Sequence, residues 1–245
     1  MNSNTLVKVF RQPGTHMMSG LVASIEWLIT KFSRDGRRTF FEPDAFPWTR
    51  AIKAGTAEVR RELDQLMLRR QQIPTFTELS EKQKYLAPPE QWHTFFLYLY
   101  GKPVRENCAR CPNTIQLLKG IPGMKTAMFS ILAPNTHIRE HAGLYKGVLR
   151  YHLAVIVPEP ASSCRIRVGA DKRSWTEGRS LIFDDRHPHE VWNDSGSHRT
   201  VLFVDFVRPL PWPLSLVNRA VLRIFSMSAF MKDALNRARR FAQRT

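Results

Sequence analysis

Acidic residues are scarce in this 245-residue chain: 21 Asp and Glu stand against 37 Lys and Arg, for a formal net charge of +16. Such a surplus points to a polyanionic partner: nucleic acid, an anionic membrane surface or a phosphorylated substrate. Cysteine is also sparse. Cys108, Cys111 and Cys164 are too few, and odd in number, to form the disulfide framework of a small secreted scaffold. No apolar run reaches the roughly 18 residues that a membrane-spanning helix needs. The nearest, 17–32, is interrupted by Glu26 and is too broken for a signal-peptide core. The expectation is an intracellular chain without a transmembrane segment. Internal repeats, low-complexity tracts and recognised nucleic-acid motifs are missing too, and the basic residues are spread over both termini, so no specific nucleic acid is expected as a partner.

What is present is ordinary globular material, 43% hydrophobic and 24% charged, which excludes disordered and collagen-like chains. Residues 1–120 read as a helical region packing on a core. Apolar spacing predicts helices over 19–32, 51–69 and 112–119, and Thr77, Ser80 and Glu81 mark a short capped segment. An aromatic-rich strand is expected at 94–100. From Met124 the texture becomes β-rich, with short runs at 126–133, 149–157, 164–168, 179–183 and 199–207 separated by turn residues. Residues 121–210 therefore predict a mainly β core, a sandwich or barrel with a jelly roll as leading candidate. Residues 211–245 form a third segment. Val217, Val221, Ile224, Met231 and Leu235 share a helical face, and from Pro213 onward seven basic residues accompany one acid, Asp233. Such a tail can lie on an anionic bilayer or pack on the domain with its basic face solvated.

Five of the eight histidines, at 137, 141, 152, 187 and 189, fall within 53 residues of the β region. Two histidines on separate strands with an arginine downstream, here His141, His189 and Arg199, suit a mononuclear iron site: neutral imidazoles hold Fe(II), and a guanidinium forks onto a carboxylate. Alone, such a cluster reads equally as polar residues near a barrel mouth. Asp184 and Asp185 either orient His189 or close a turn; His137 and His187 read as peripheral, and Trp175 and Trp192 as core. The pair Cys108 and Cys111 has zinc-knuckle spacing but no second pair to complete it.

More specific than any single motif is a series of blocks: SILAPNTHIREHAG at 130–143, LRYHL at 149–153, WTEG at 175–178, LIFDDRHPHEVWND at 181–194, then Arg199 and VLFVDF at 201–206. In content, order and spacing these resemble the aspartyl/asparaginyl β-hydroxylase family. The resemblance implies a double-stranded β-helix (jelly-roll) dioxygenase that uses Fe(II), 2-oxoglutarate and O₂. It matches His141 and His189 to the iron-binding histidines, and Arg199 and Ser130 to the residues that hold the distal carboxylate of 2-oxoglutarate. Arg150 and His152 match the strand pair near the other end of the cosubstrate. Gly143 stands where a third, carboxylate ligand is usual, as it does in the family, so water is expected to complete the coordination. Upstream blocks at 92–97, 106–112 and 121–126, and the run YKGVLRYH at 145–152, are similar to the branch that hydroxylates bacterial lipids such as lipid A or ornithine lipid. Met128 and Val148 are apolar where peptide hydroxylases tend to carry basic side chains. The resemblance thus implies hydroxylation of a membrane-lipid acyl chain at the inner face of the cytoplasmic membrane, with a peptide or other small substrate as the alternative.

Overall fold

A computed structural model describes residues 15–33, 35–80 and 83–244, with side chains from residue 20 onward. Its centre is a seven-stranded antiparallel sheet. The strands are β1 (Phe40–Phe41), β2 (Trp92–Leu99), β3 (Lys102–Pro103), β4 (Met124–Leu132), β6 (Val148–Ile156), β9 (Ser180–Phe183) and β11 (Arg199–Val207), in the order β1-β9-β6-β11-β4-β2-β3. A four-stranded antiparallel sheet faces it: β5 (Thr136–His141), β10 (His189–Asn193), β7 (Cys164–Val168) and β8 (Asp171–Ser174), in the order β5-β10-β7-β8. Two antiparallel sheets around one core make this the jelly roll that the β-rich sequence predicts.

The long apolar runs of β4, β6 and β11 follow from burial on both faces. Along β11, Val201 and Phe203 face inward with Met128 and Leu132 of β4 and Ala154 of β6, meeting Ile138, Ile166 and Val191 of the smaller sheet. Their alternates Leu202 and Val204 face outward with Phe129, Ile131 and Leu153. That outer face is covered by α2 (Thr49–Ala54), α3 (Thr56–Met67) and α6 (Pro112–Lys119), through Ile52, Val59, Leu63, Ile115 and Leu118. Residues 1–120 therefore supply strands as well as a helical cover: β2 lies inside the large sheet, hydrogen-bonded to β4.

Two predicted helices are broken in the structure. The expected helix 51–69 is α2 and α3, split at Gly55, where a Cβ would come within 2.5 Å of Leu117 on α6. The short capped segment is α4 (Phe76–Leu79), whose capping box is Thr75 with Glu78 rather than the residues expected; Glu81 lies outside the described residues. The C-terminal tail is two helices, α7 (Leu214–Ser226) and α8 (Ala229–Ala242), bent by 59°. Ser228 caps α8, its hydroxyl accepting from the Met231 amide at 3.4 Å. Leu235 and Ala238 of α8 join the core between the sheets, so α8 packs on the domain. Helix α7 packs instead beside α1 (Thr15–Phe32), sharing a small apolar cluster of Ile25, Ile29, Tyr145, Leu214 and Leu222.

Candidate active site

The two candidate iron ligands come together by strand pairing. His141 ends β5, His189 begins β10, and the two are direct partners across the ladder with ring centroids 4.2 Å apart. Each Nδ1 faces a backbone carbonyl two residues earlier, Arg139 O at 2.7 Å and His187 O at 3.0 Å. Donation from Nδ1 to those carbonyls fixes the tautomer that leaves both Nε2 atoms as lone-pair donors. Burial lowers the His141 pKa to about 4, with Arg150 adding to the effect. Burial, then His141 and Arg150, hold His189 well below its ordinary value. Both rings are therefore neutral at pH 7, the form that binds a metal.

Gly143 leaves no room for a third protein ligand. A Cβ there would lie 2.2 Å from Oδ2 of Asp185, whose backbone carbonyl accepts from the Gly143 amide at 2.7 Å. Asp185 itself pairs with Arg150 at 2.7 Å, while its Oδ1 is buried with no hydrogen-bond partner among the described residues. Burial raises its pKa to about 7 against the pull of Arg150. Among the described residues no group of three or more His, Cys, Asp or Glu side chains is placed to hold a metal.

From His189 a run of rings leads inward. Phe183 lies 5.9 Å from His189 and 5.0 Å from His152, and His152 stacks on Trp175 at 5.9 Å. The Arg199 guanidinium then sits over the other end of this run, its Cζ 4.4 Å from the Trp175 ring centroid. Arg199 is only 1% exposed, no carboxylate pairs with it, and its Nε has no hydrogen-bond partner among the described residues. Burial lowers its pKa to about 10, which still leaves it charged at neutral pH. A buried, unpaired guanidinium is costly unless an anion joins it. Ser130 lies on the same face of the sheet, its neighbour Val201 being two residues from Arg199 on β11. Its Oγ accepts from Trp92 Nε1 at 2.9 Å, leaving the hydroxyl proton free to donate. His152 is buried with both ring nitrogens unpartnered among the described residues, and burial holds its pKa well below the ordinary value.

The predicted residues thus share one interior, with Arg150 differing in detail. Arg150 is clasped by two carboxylates, Asp185 and Asp205, the latter 2.8 Å from its Nε. Burial alone would lower its pKa; the two acids outweigh this and raise it. Asp205 escaped the sequence reading, although a lone acid inside the apolar run 201–206 was a usable signal. Neither Asp184 nor Asp185 hydrogen-bonds the His189 ring. Asp184 is fully buried, pairs with Lys146 at 2.6 Å and with Arg208, and accepts from the Arg186 amide at 3.1 Å. It ties the 144–147 loop to the turn before His189. Trp175 is core, as expected, but also floors the arginine pocket. Trp192 is not core: it lies half-buried between His137, stacked at 5.0 Å, and Arg165. His137 pairs with Glu190 at 2.8 Å, away from the His141–His189 pair. Cys108 and Cys111 are free thiols.

Comparison with known proteins places the chain in a family. The sequence profile described as "Aspartyl/Asparaginyl beta-hydroxylase" matches residues 53–209. The chain is 40% identical over 222 residues to an ornithine lipid ester-linked acyl 2-hydroxylase of Rhizobium tropici, covering 91% of this chain and 79% of the relative. It is 31% identical over 180 residues to human aspartyl/asparaginyl beta-hydroxylase, covering 67% of this chain but 23% of the human protein's length. Among solved structures, a Cupin_2 domain of an XRE family transcriptional regulator from Enterobacter cloacae aligns with TM-score 0.34 and 15% identity, covering 49% of this chain and 100% of that one.

Proposed function

The chain belongs to the aspartyl/asparaginyl β-hydroxylase family, and we propose that it is an Fe(II)- and 2-oxoglutarate-dependent dioxygenase that hydroxylates an acyl chain of a membrane lipid of the ornithine-lipid kind. The observation that carries the chemistry is Arg199: a buried guanidinium, without a protein carboxylate, in the same interior as two neutral histidines whose Nε2 atoms are free. A dicarboxylate spanning those two points is the ligand that balances both ends. The similarity to the Rhizobium tropici lipid hydroxylase, over nearly the whole chain, supports the substrate class.

His141 and His189 would hold the iron through Nε2, and the carbonyls of Arg139 and His187 keep those rings aimed. When bound, iron, 2-oxoglutarate and O₂ supply an oxidant strong enough to place a hydroxyl on an unactivated C–H bond. Arg199 binds the distal carboxylate of the cosubstrate by charge and fork geometry, and Ser130 donates its remaining proton to the same group. His152, neutral, offers one donor and one acceptor to the other end. Arg150 cannot swing freely because Asp185 and Asp205 grip it; their carboxyl groups offset its charge, and it positions Asp185 against Gly143. Phe183, Phe203 and Trp175 wall the interior and exclude water.

Mass spectrometry of membrane lipids from cells with and without the gene tests this reading. A lipid one oxygen heavier should vanish in the deletion and return with the wild type but not with His189→Ala. An unchanged lipid profile would defeat the lipid assignment and favour a peptide substrate. Full complementation by His189→Ala would defeat the iron assignment.

A further inference from the structure

Helix α7 carries an apolar face broader than the part its packing covers. Its inner side, Leu214, Asn218 and Leu222, is buried against α1 and the 145–148 segment. Its outer side repeats the pattern in solvent: Leu216 is 54% exposed, Ile224 53% and Met227 54%, with Val217 and Ala220 also exposed. Trp212, just before the helix, is 79% exposed. Helix α1 also leaves large apolar side chains uncovered: Trp27 faces away from the buried Ile25 and Ile29, and Leu21 and Phe32 lie exposed beyond either end of that buried stripe. A soluble helix turns its second face polar, so large apolar side chains outward on two adjacent helices mark an interaction surface.

We infer that the outer face of the α1–α7 pair docks the protein in the plane of an anionic lipid bilayer, beside the mouth of the site. Charge selects the bilayer over a protein partner or a second copy. Helix α7 has no acidic residue, and the exposed Arg219 and Arg223 lie three residues beyond Leu216 and Ala220, along the flank of the apolar strip. Two such faces brought together in a dimer would confront like charges, whereas anionic headgroups complement them. The tryptophans fit as well: Trp212 and Trp27 are the side chains that settle at headgroup level, and the Lys31 ammonium lies over the Trp27 ring at 4.8 Å, which adds a positive charge beside it. Length excludes spanning. The 13 residues of α7 rise about 20 Å against a hydrocarbon thickness of roughly 30 Å. The bent pair of α7 and α8 does not make up the difference, because α8 buries Met231, Leu235 and Ala238 on the domain.

The same helix pair grips the loops of the site. Glu26 of α1 accepts from the Lys146 amide at 2.9 Å and pairs with Arg186 at 2.8 Å. Asn218 of α7 donates to Gly147 O at 2.9 Å. These contacts hold the two segments that run from His141 through Gly143 and into His189, with Leu144, 40% exposed, between them. A bilayer held on this face therefore lies next to the candidate active site. The docking face stands on its own geometry and goes beyond the hydroxylase reading, which supplies only its purpose.

Flotation of the purified full chain with vesicles of phosphatidylcholine containing about one-third phosphatidylglycerol, which include no ornithine lipid, tests docking apart from turnover. The wild type should float with these vesicles and far less with phosphatidylcholine alone. The double variant Leu216→Ser/Ile224→Ser should lose at least about tenfold in partitioning, given a CH₂ burial scale near 0.8 kcal/mol, while its melting temperature stays unchanged. Arg219→Gln and Arg223→Gln should each cost about fivefold, on anionic vesicles only. A wild type that stays unbound, or a double variant that binds as well as the wild type, overturns the proposal. So does a wild-type dimer that Leu216→Ser/Ile224→Ser converts to monomer, which would assign the strip to a second copy.

Discussion

Arg199 shows how much a single residue can reveal when its partner is missing. Guanidinium groups buried to this degree are ordinarily paired, whereas this one has an aromatic ring beneath it, Cys164 near it and no carboxylate partner among the described residues. Its charge is therefore a standing demand for an anion. In the wild type, 2-oxoglutarate should raise the melting temperature of the metal-loaded protein, because a ligand bound only by the folded state stabilises it. Arg199→Lys should retain the fold and the charge yet need about tenfold or more cosubstrate for the same shift, since a lysine cannot present two parallel donors. Equal shifts in the two proteins would remove Arg199 from the cosubstrate site. Much of this was legible beforehand, because histidine, arginine and serine at fixed spacing carry the family pattern. The clasp of Asp205 on Arg150 was not, since pairing across β6 and β11 joins residues 55 apart in sequence.

At the scale of elements, legibility followed burial. The run at 164–168 coincides with β7 and 199–207 with β11, because strands rich in buried apolar residues announce themselves by composition. Besides the two-residue β1 and β3, the strands that the sequence pattern does not show are β5, β8 and β10. Every residue of β8 is exposed, and β5 and β10 carry polar side chains on alternate positions, including the two histidines themselves. The elements that hold the site are thus the ones a hydrophobic pattern reads least well. Helix α7 was read as one face of a longer helix, and only packing separates its two sides. Leu222→Ala should destabilise the protein by about 2–5 kcal/mol in urea titration, whereas Ile224→Ala should change stability by less than about 0.5 kcal/mol. Similar losses at both positions would show that the outer strip is not free.

For the whole molecule, three buried neutral histidines couple folding to pH. His141, with its pKa near 4, and His152 and His189, held well below their ordinary value, bind protons only after unfolding. Between about pH 4 and 6.5 the unfolded chain therefore takes up more protons at these positions, and stability falls as pH falls. Asp185, raised to about 7, works in the opposite sense, since it is protonated in the folded state over that range and ionised after unfolding. The histidines outnumber that one carboxyl, so the net slope keeps their sign. Melting temperatures of the metal-free protein measured from pH 6.5 down to 4.5 should decline steadily; a flat profile would mean that these rings are solvated.

The direct pairing of His141 with His189 reaches beyond chemistry. β5 is an edge strand of the smaller sheet, paired within that sheet to β10, with the Arg139 amide donating to Leu86 O at 2.8 Å outside it. An ion gripped by both rings would act as a clasp across that last seam, joining the strand's free end to its neighbour by coordinate bonds as well as amide contacts. The lifetime of the folded chain would then follow its supply of metal, so that an iron-starved cell would lose the protein itself along with its activity.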